Sequence, residues 1–454
     1  MKKTVCILVA MLYVHFSFAQ LSISTDKRHL VRKNGSPFFW LGDTAWELFH
    51  RSTREEAVTY LINRAAKGFT VIQAVALAEF DGLNTPNVYG DKPLTGNNPA
   101  KPNEAYFKHV DFVVDEAEKL GLIVAFLPTW GDKWNKKWGT GPEIFTAANA
   151  EIYGEWLGRR YKNKPVVWVM GGDRDPEEPE DYAIIRNMAK GLKKGDNGTH
   201  LFTFHPQGGK SSFDFFDNDP WIDFDMSQTG HAVAAPDYKF NIKARSLAKA
   251  RPHIDGEPRY EDHPNQFKPA EKGWMDDFDT RVAAYWNMLS GGAGHTYGNH
   301  NIWQMYTEKR QPVNNARTNW KIALNQPGSY QVGWMRRMFE KRNWQLLEPD
   351  QTVIMNDNPE GGEYKVASVA NDKSFMMVYI PYGTKTTVNT AVIKSNNLAA
   401  WWFNPRDGRT ISIPAFNNTG KKGFTPSSIG RGSDWVLIID DALKNYPDPA
   451  VEAD

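Results

Sequence analysis

Eight short apolar segments alternate with amphipathic ones over residues 20–340, and a helix-poor run of short strands follows over residues 341–454. The pattern predicts an α/β protein, a (β/α)8 barrel with a C-terminal all-β sandwich domain. The strand segments are residues 38–43, 70–76, 122–128, 166–171, 201–205, 222–228, 252–256 and 292–297, each closing in polar or small residues. Eight is the number a closed barrel of this kind requires.

The intervening segments carry helix signals. Thr53-Arg54-Glu55-Glu56 is a capping box ahead of Ala57, Tyr60, Leu61 and Ala65, and Gly68 stops the run. Phe107, Val110, Val114 and Ala117 form a second stripe ending at Gly121, and Phe278, Val282, Tyr285, Trp286 and Leu289 form another. Residues 79–103 are rich in Gly, Pro and Asn and fall where a long loop after the second strand belongs, a place that usually carries function. Beyond residue 343 the segments 364–370, 375–380, 398–403, 410–413 and 435–439 read as strands separated by turns such as Asp407-Gly408.

Of 454 residues, 54 are Lys or Arg and 53 Asp or Glu, so no basic field exists to hold nucleic acid. The start, with Lys2, Lys3, an apolar run over 5–14 and Ser17-Phe18-Ala19, reads as a secretory signal over residues 1–19. The apolar run is about half the ~20 residues a spanning helix needs, and no later segment is apolar enough. Cleavage leaves 52 basic against 53 acidic residues and removes Cys6, the single cysteine, so thiol and disulfide chemistry are excluded from an exported protein, periplasmic or secreted. The 17 Trp, 17 Tyr and 25 Phe suit both a core and stacking against sugar rings.

In such a barrel the chemistry sits at the C-terminal strand ends. These ends offer Asp43 and Trp46, Gln73, Trp130, Asp173, His205, Gln228 and His231, Glu257, and His295 with Tyr297. Asp173 follows the apolar 166–170 run through Gly171 and Gly172, and Glu257 follows Ile254 through Gly256. Two carboxyls on opposed strands supply what glycosidic hydrolysis needs, an acid for the leaving oxygen and a second group to attack carbon or activate water. Either acid taken alone is as well explained as an ion-pair partner of Arg174 or Arg259. His205, His231 and His295 raise a metal-dependent hydrolase as a rival, but no His-x-His or His-Glu-x-x-His occurs, and hydrogen bonding to substrate hydroxyls or orientation of the carboxylates accounts for them without metal or cofactor. Trp46, Trp130, Trp134, Trp138 and Trp303 cluster in strand-end loops and favour a carbohydrate platform. Trp401-Trp402-Phe403 reads as core of the last domain. Neither a P-loop, a Gly-x-Gly-x-x-Gly nor a Gly-x-Ser-x-Gly elbow stands at a strand–helix junction.

Five segments in order resemble the apiosidase-like catalytic domain of glycoside hydrolase family 140. They are Trp40-Leu41-Gly42-Asp43-Thr44-Ala45-Trp46, Met170-Gly171-Gly172-Asp173-Arg174-Asp175-Pro176, the stretch from Asp223 to His231, Asp255-Gly256-Glu257-Pro258-Arg259-Tyr260-Glu261, and Ala283-Ala284-Tyr285-Trp286 leading to His295-Thr296-Tyr297. The last module resembles the β domain, named for collagen binding, that follows such barrels, and is read here as a structural unit. The resemblance implies removal of terminal apiose from rhamnogalacturonan II, a plant cell-wall pectin. It further implies a catalytic Asp after strand 4 and Glu after strand 7, which fall on Asp173 and Glu257, and it brings Tyr260 and Glu261 among the substrate-binding candidates. By analogy Asp173 is the acid/base and Glu257 the nucleophile. A glycosidase for another arabinose-like or pectic sugar, and a non-catalytic carbohydrate-binding protein, remain the alternatives.

Overall fold

The computed structural model describes residues 20–233 and 235–451. The expected signal segment, residues 1–19, lies outside the described residues.

Eight parallel strands form the barrel: β1 (Trp40–Thr44), β2 (Val71–Leu77), β3 (Ile123–Thr129), β4 (Val166–Gly171), β5 (Phe202–His205), β6 (Asp225–Gln228), β7 (His253–Asp255) and β8 (Gly294–Asn299). Neighbouring strands pair in register from β5 back through β1 to β8, β7 and β6. The remaining seam, between β5 and β6, is closed by single bonds: Asp223 N donates to Phe202 O at 2.9 Å, its carboxylate takes Phe202 N at 2.8 Å, and Thr203 Oγ1 donates to Phe224 O at 2.7 Å. Alternation sets the faces of each strand. Trp40, Val71, Val75, Ile123, Ala125, Leu127, Val167, Val169, Phe224, Met226 and Ile254 fill the interior, while Ile72, Ala74, Val124, Phe126, Trp168 and Met170 face the helices. An N-terminal meander of Leu21–Ile23, Leu30–Arg32 and Pro37–Phe38 adds Leu21, Leu30 and Phe38 to the interior cluster.

Outside lie α1 (Arg54–Ala66), α2 (Glu104–Lys119), α3 (Ala147–Tyr161), α4 (Pro179–Gly195), α5 (Tyr238–Ser246), α6 (Asp277–Leu289) and α7 (Pro327–Glu340). The capping box at Thr53 forms as the sequence predicts. After β5 only the turn Phe213–Phe216 is helical. Glycines weld α3 to α4: a Cβ at Gly154, Gly158, Gly191 or Gly195 would come within 2.1–2.5 Å of the other helix's backbone.

The C-terminal domain is a six-stranded antiparallel sheet, in order β9 (Leu347–Pro349), β10 (Val366–Ala370), β11 (Phe375–Ile380), β16 (Trp435–Asp441), β13 (Asn397–Phe403) and β14 (Thr410–Asn417). A two-stranded ribbon of β12 (Thr386–Val388) and β15 (Lys422–Phe424) covers one face, where Val388 and Phe424 meet Val378, Trp402 and Leu437. The other face rests on the barrel: Phe375, Met377, Tyr379 and Ile438 pack on Tyr285, Trp286, Met335 and Phe339 of α6 and α7. The second layer of the expected sandwich is thus supplied partly by the barrel's own helices.

Candidate active site

At the C-terminal mouth of the barrel lies a cavity of about 630 Å³, lined by Trp46, Glu79, Phe80, Trp130, Trp138, Asp173, Gln228, His231, Glu257, Tyr260 and Trp303 among others. That is within the ~300–1,000 Å³ of pockets that enclose most of a drug-sized ligand.

Glu257 sits just past β7. Its Oε1 is 3.2 Å from His231 Nε2 and its Oε2 3.0 Å from His205 Nε2. The backbone N–H of Asp173 donates to His205 Nδ1 at 3.3 Å, so the ring proton of His205 is on Nε2, facing Glu257. Burial alone would raise the pKa of Glu257, but hydrogen bonds and charge from the two histidines overcome it and hold the carboxyl down to about 2. Gly256 before it supplies room rather than a special turn, since a Cβ there would meet Met226 Sδ at 2.5 Å.

Asp173 is presented differently. Gly171 (φ +91°), Gly172 (φ +109°) and Asp173 itself (φ +53°) form three consecutive left-handed residues beyond β4. A Cβ on Gly171 would lie 2.4 Å from His205 O, and one on Gly172 3.0 Å from Gly131 N and Trp130 Cε3. Arg174 Nη1 donates to the Asp173 carbonyl at 2.6 Å and to its Oδ2 at 3.1 Å. Burial, then the charge of Glu257, pushes the Asp173 carboxyl up to about 6, against the pull of Arg174 and His205. The two acids are therefore driven apart, one ionised and the other able to hold a proton in weak acid, the division that acid-assisted displacement at a glycosidic carbon uses.

Aromatic rings form the bed of the cavity. Trp46 packs 5.3 Å from Trp130 and edge-on to His205 at 5.4 Å, and its Nε1 donates to Tyr260 Oη at 3.2 Å. Tyr260 in turn packs 4.5 Å from His231. Among the described residues Trp130 Nε1, Gln228 Oε1 and His231 Nδ1 are buried polar atoms without a partner, and a polyhydroxylated ligand would satisfy them.

Seven of the twelve sequence candidates, Asp173, Glu257, Trp46, Trp130, Gln228, His231 and Tyr260, line this cavity, and His205 stands directly behind Glu257. The other four do not reach it. Asp43 is turned outward to α1, where it accepts Tyr60 Oη at 2.5 Å and Arg64 Nε at 2.7 Å. Tyr297 also points outward and donates to Glu261, whose carboxylate takes Gly328 N at 3.1 Å and so caps α7. His295 is fully buried on the same outward face of β8, its ring held down to about 3 by burial and by the charge of Arg259. All four assignments to substrate are corrected: period-two alternation sends residues 43, 295 and 297 to the helix side, and Glu261 is spent on α7. Trp134 is core as well, whereas Trp138 (58% exposed) and Trp303 lie on the cavity wall. Glu79 and Phe80 open the 79–103 loop that the sequence marks as functional and line the cavity, but reading strand ends alone does not single them out, because they lie beyond β2.

A barrel of this topology with a deep aromatic cavity and two divergent carboxyls is that of a glycoside hydrolase. Residues 24–345 match the family described as "Apiosidase-like, catalytic domain", and the chain belongs to it. Residues 348–440 match the family described as "Putative collagen-binding domain of a collagenase". A solved structure titled "Glycoside hydrolase" is 30% identical over 94% of this chain and 98% of its own, with a TM-score of 0.86. A glycoside hydrolase family 5 structure from Bacteroides vulgatus ATCC 8482 is 28% identical over 96% of each chain, with a TM-score of 0.88. Mannan endo-1,4-beta-mannosidase 3 of Oryza sativa subsp. japonica is 24% identical over 44% of this chain and 48% of its own length, so the chain spans about half of that curated relative.

Proposed function

We propose that this glycoside hydrolase is exported and releases terminal apiose from the side chains of rhamnogalacturonan II, with Asp173 as acid/base and Glu257 as nucleophile. The observation that carries the chemistry is the pair of carboxyls on one cavity wall, Glu257 set against His205 and His231 and Asp173 against Arg174. The apiosidase-like family match supports the sugar, and the basic, apolar and small-residue pattern of residues 1–19 supports export.

In the first step Asp173 gives its proton to the glycosidic oxygen while a Glu257 oxygen bonds to the anomeric carbon, and the aglycone leaves with the proton. In the second, Asp173 takes a proton from water as its oxygen attacks the same carbon, and the Glu257 ester bond breaks. Two inversions give net retention. His205 and His231 spread the charge of Glu257 and fix its orientation.

The test is chromatography of sugars freed from purified rhamnogalacturonan II oligosaccharides and, in parallel, from β-1,4-mannan. Free apiose from the wild type, and none from folded Asp173→Asn or Glu257→Gln, is the expected result. Another sugar released from either glycan by the same two residues would keep the mechanism and retire the apiosyl assignment.

A further inference from the structure

Glu79 is the third carboxyl on the cavity wall, and it differs from the other two in its company. Glu257 is held by two histidines and Asp173 by Arg174. The Glu79 carbonyl accepts Lys133 Nζ at 3.1 Å, but among the described residues no hydrogen-bond or ion-pair partner reaches its carboxyl. The nearby cations are committed elsewhere. Lys133 clasps Asp132 at 2.7 and 2.8 Å, Arg51 pairs with Glu47 at 3.3 Å, and Arg174 bonds Asp173 beneath the Trp138 ring.

Beside Glu79 stands a flat apolar surface. Phe80 packs 5.5 Å from Trp303, both rings line the cavity, and the Trp303 indole N–H is spent on His300 Nδ1 at 3.3 Å. What this corner offers a ligand is therefore ring faces together with one free carboxyl. A sugar ring presents the complement, apolar C–H faces with hydroxyls at the edge. A half-buried carboxyl with no protein partner loses hydration without return unless a ligand supplies the bond.

We propose that Glu79, with the Phe80–Trp303 pair, is a substrate-binding subsite in which the carboxyl hydrogen-bonds a hydroxyl of a sugar ring laid against those aromatics. The proposal rests on the glycosidase reading of the cavity and extends it to a substrate contact outside the catalytic pair. Burial, then the charges of Asp173, Asp132 and Glu47, pushes this carboxyl up to about 8, so at neutral pH it carries a proton and can both donate and accept. Glutamine has the same shape and the same two capacities; alanine has neither.

The experiment compares Glu79→Ala and Glu79→Gln in the full chain by steady-state kinetics, on whichever of rhamnogalacturonan II, arabinan or β-1,4-mannan oligosaccharides the wild type cleaves. Expected is a rise in KM of roughly five- to tenfold for alanine, the worth of one hydrogen bond, with kcat little changed and KM restored by glutamine. An unchanged KM for alanine overturns the subsite, and so does glutamine failing as alanine does. A loss confined to kcat and rescued by azide overturns it too, because Glu79 would then be moving a proton. Should no oligosaccharide be cleaved, the functional reading falls, and calorimetric titration of the same variants with the same sugars still reads Glu79. An equal Kd for all three proteins, or binding by none, overturns the subsite.

Discussion

Glu257 and Asp173 show how neighbours rather than residue type set a carboxyl's work. Glu257 faces two imidazoles, and Asp173 faces Glu257, so one is held down to about 2 and the other pushed up to about 6. The sign of the pH dependence follows. In the proposed mechanism Asp173 must be protonated to act as acid, so kcat/KM is expected to fall as pH rises through about 6. Glu257 must be ionised, so a second fall comes only as pH drops toward 2. A pH–rate profile on the free enzyme checks this, and a plateau centred above pH 7 would contradict it. Glu257 and Asp173 were both legible in the sequence from a glycine before an acid at a strand end. Asp43, His295 and Tyr297 were misread at the same scale, since ending a strand does not say which way a side chain points. Counting in twos from Trp40 separates them: Asp43 stands at odd spacing, on the outward side, whereas Thr203, His205 and Gln228 keep the inward parity of their strands. Glu261 carries no such signal, because its partner, Gly328, is 67 residues away.

At the scale of elements, the turn after β4 bears most of the construction. Its three left-handed residues need two glycines, and the second has the Trp130 ring at its back. Gly172→Ala forces a side chain into a backbone region that costs roughly 1–3 kcal/mol and presses it on Trp130, so both the melting temperature and kcat are expected to fall. Calorimetry together with kinetics checks it, and a variant of wild-type stability and rate would contradict the role given to this turn. The barrel strands were legible to within a few residues because each is a short apolar run between turn-formers. The N-terminal meander and the ribbon of β12 and β15 were not, being two or three residues long with no room for a pattern.

Over the whole molecule, the C-terminal sheet is bound to the barrel by a buried polar junction as well as by apolar contact. Arg281 of α6 donates two bonds of 2.9 Å to Asp434 before β16, Tyr379 Oη donates to the same carboxylate at 3.0 Å, and the Tyr285 and Tyr379 rings stack 4.6 Å apart. Arg342 pairs with Asp440 in the same interface. Asp434→Ala leaves the buried Arg281 guanidinium its bonds to Asp277 and Gln331 but removes two others and the partner of Tyr379, and is expected to cost about 1.5–3 kcal/mol, seen as one lowered unfolding transition for both domains. Two separate transitions, with the barrel's unchanged, would show the domains to be independent. Sequence periodicity predicted the sheet but not its seat on α6 and α7, because the apolar residues that make the seat look like ordinary core from either side.

The central claim is that Glu257 attacks sugar carbon while Asp173 handles the proton, and trapping the intermediate tests it most directly. Asp173→Asn given an aryl apiofuranoside with a good leaving group keeps the first step and loses the base for the second. Intact-mass spectrometry is then expected to show the chain gaining one pentosyl residue, mapped to the peptide bearing Glu257. Rapid turnover with inverted product and no adduct would contradict the account.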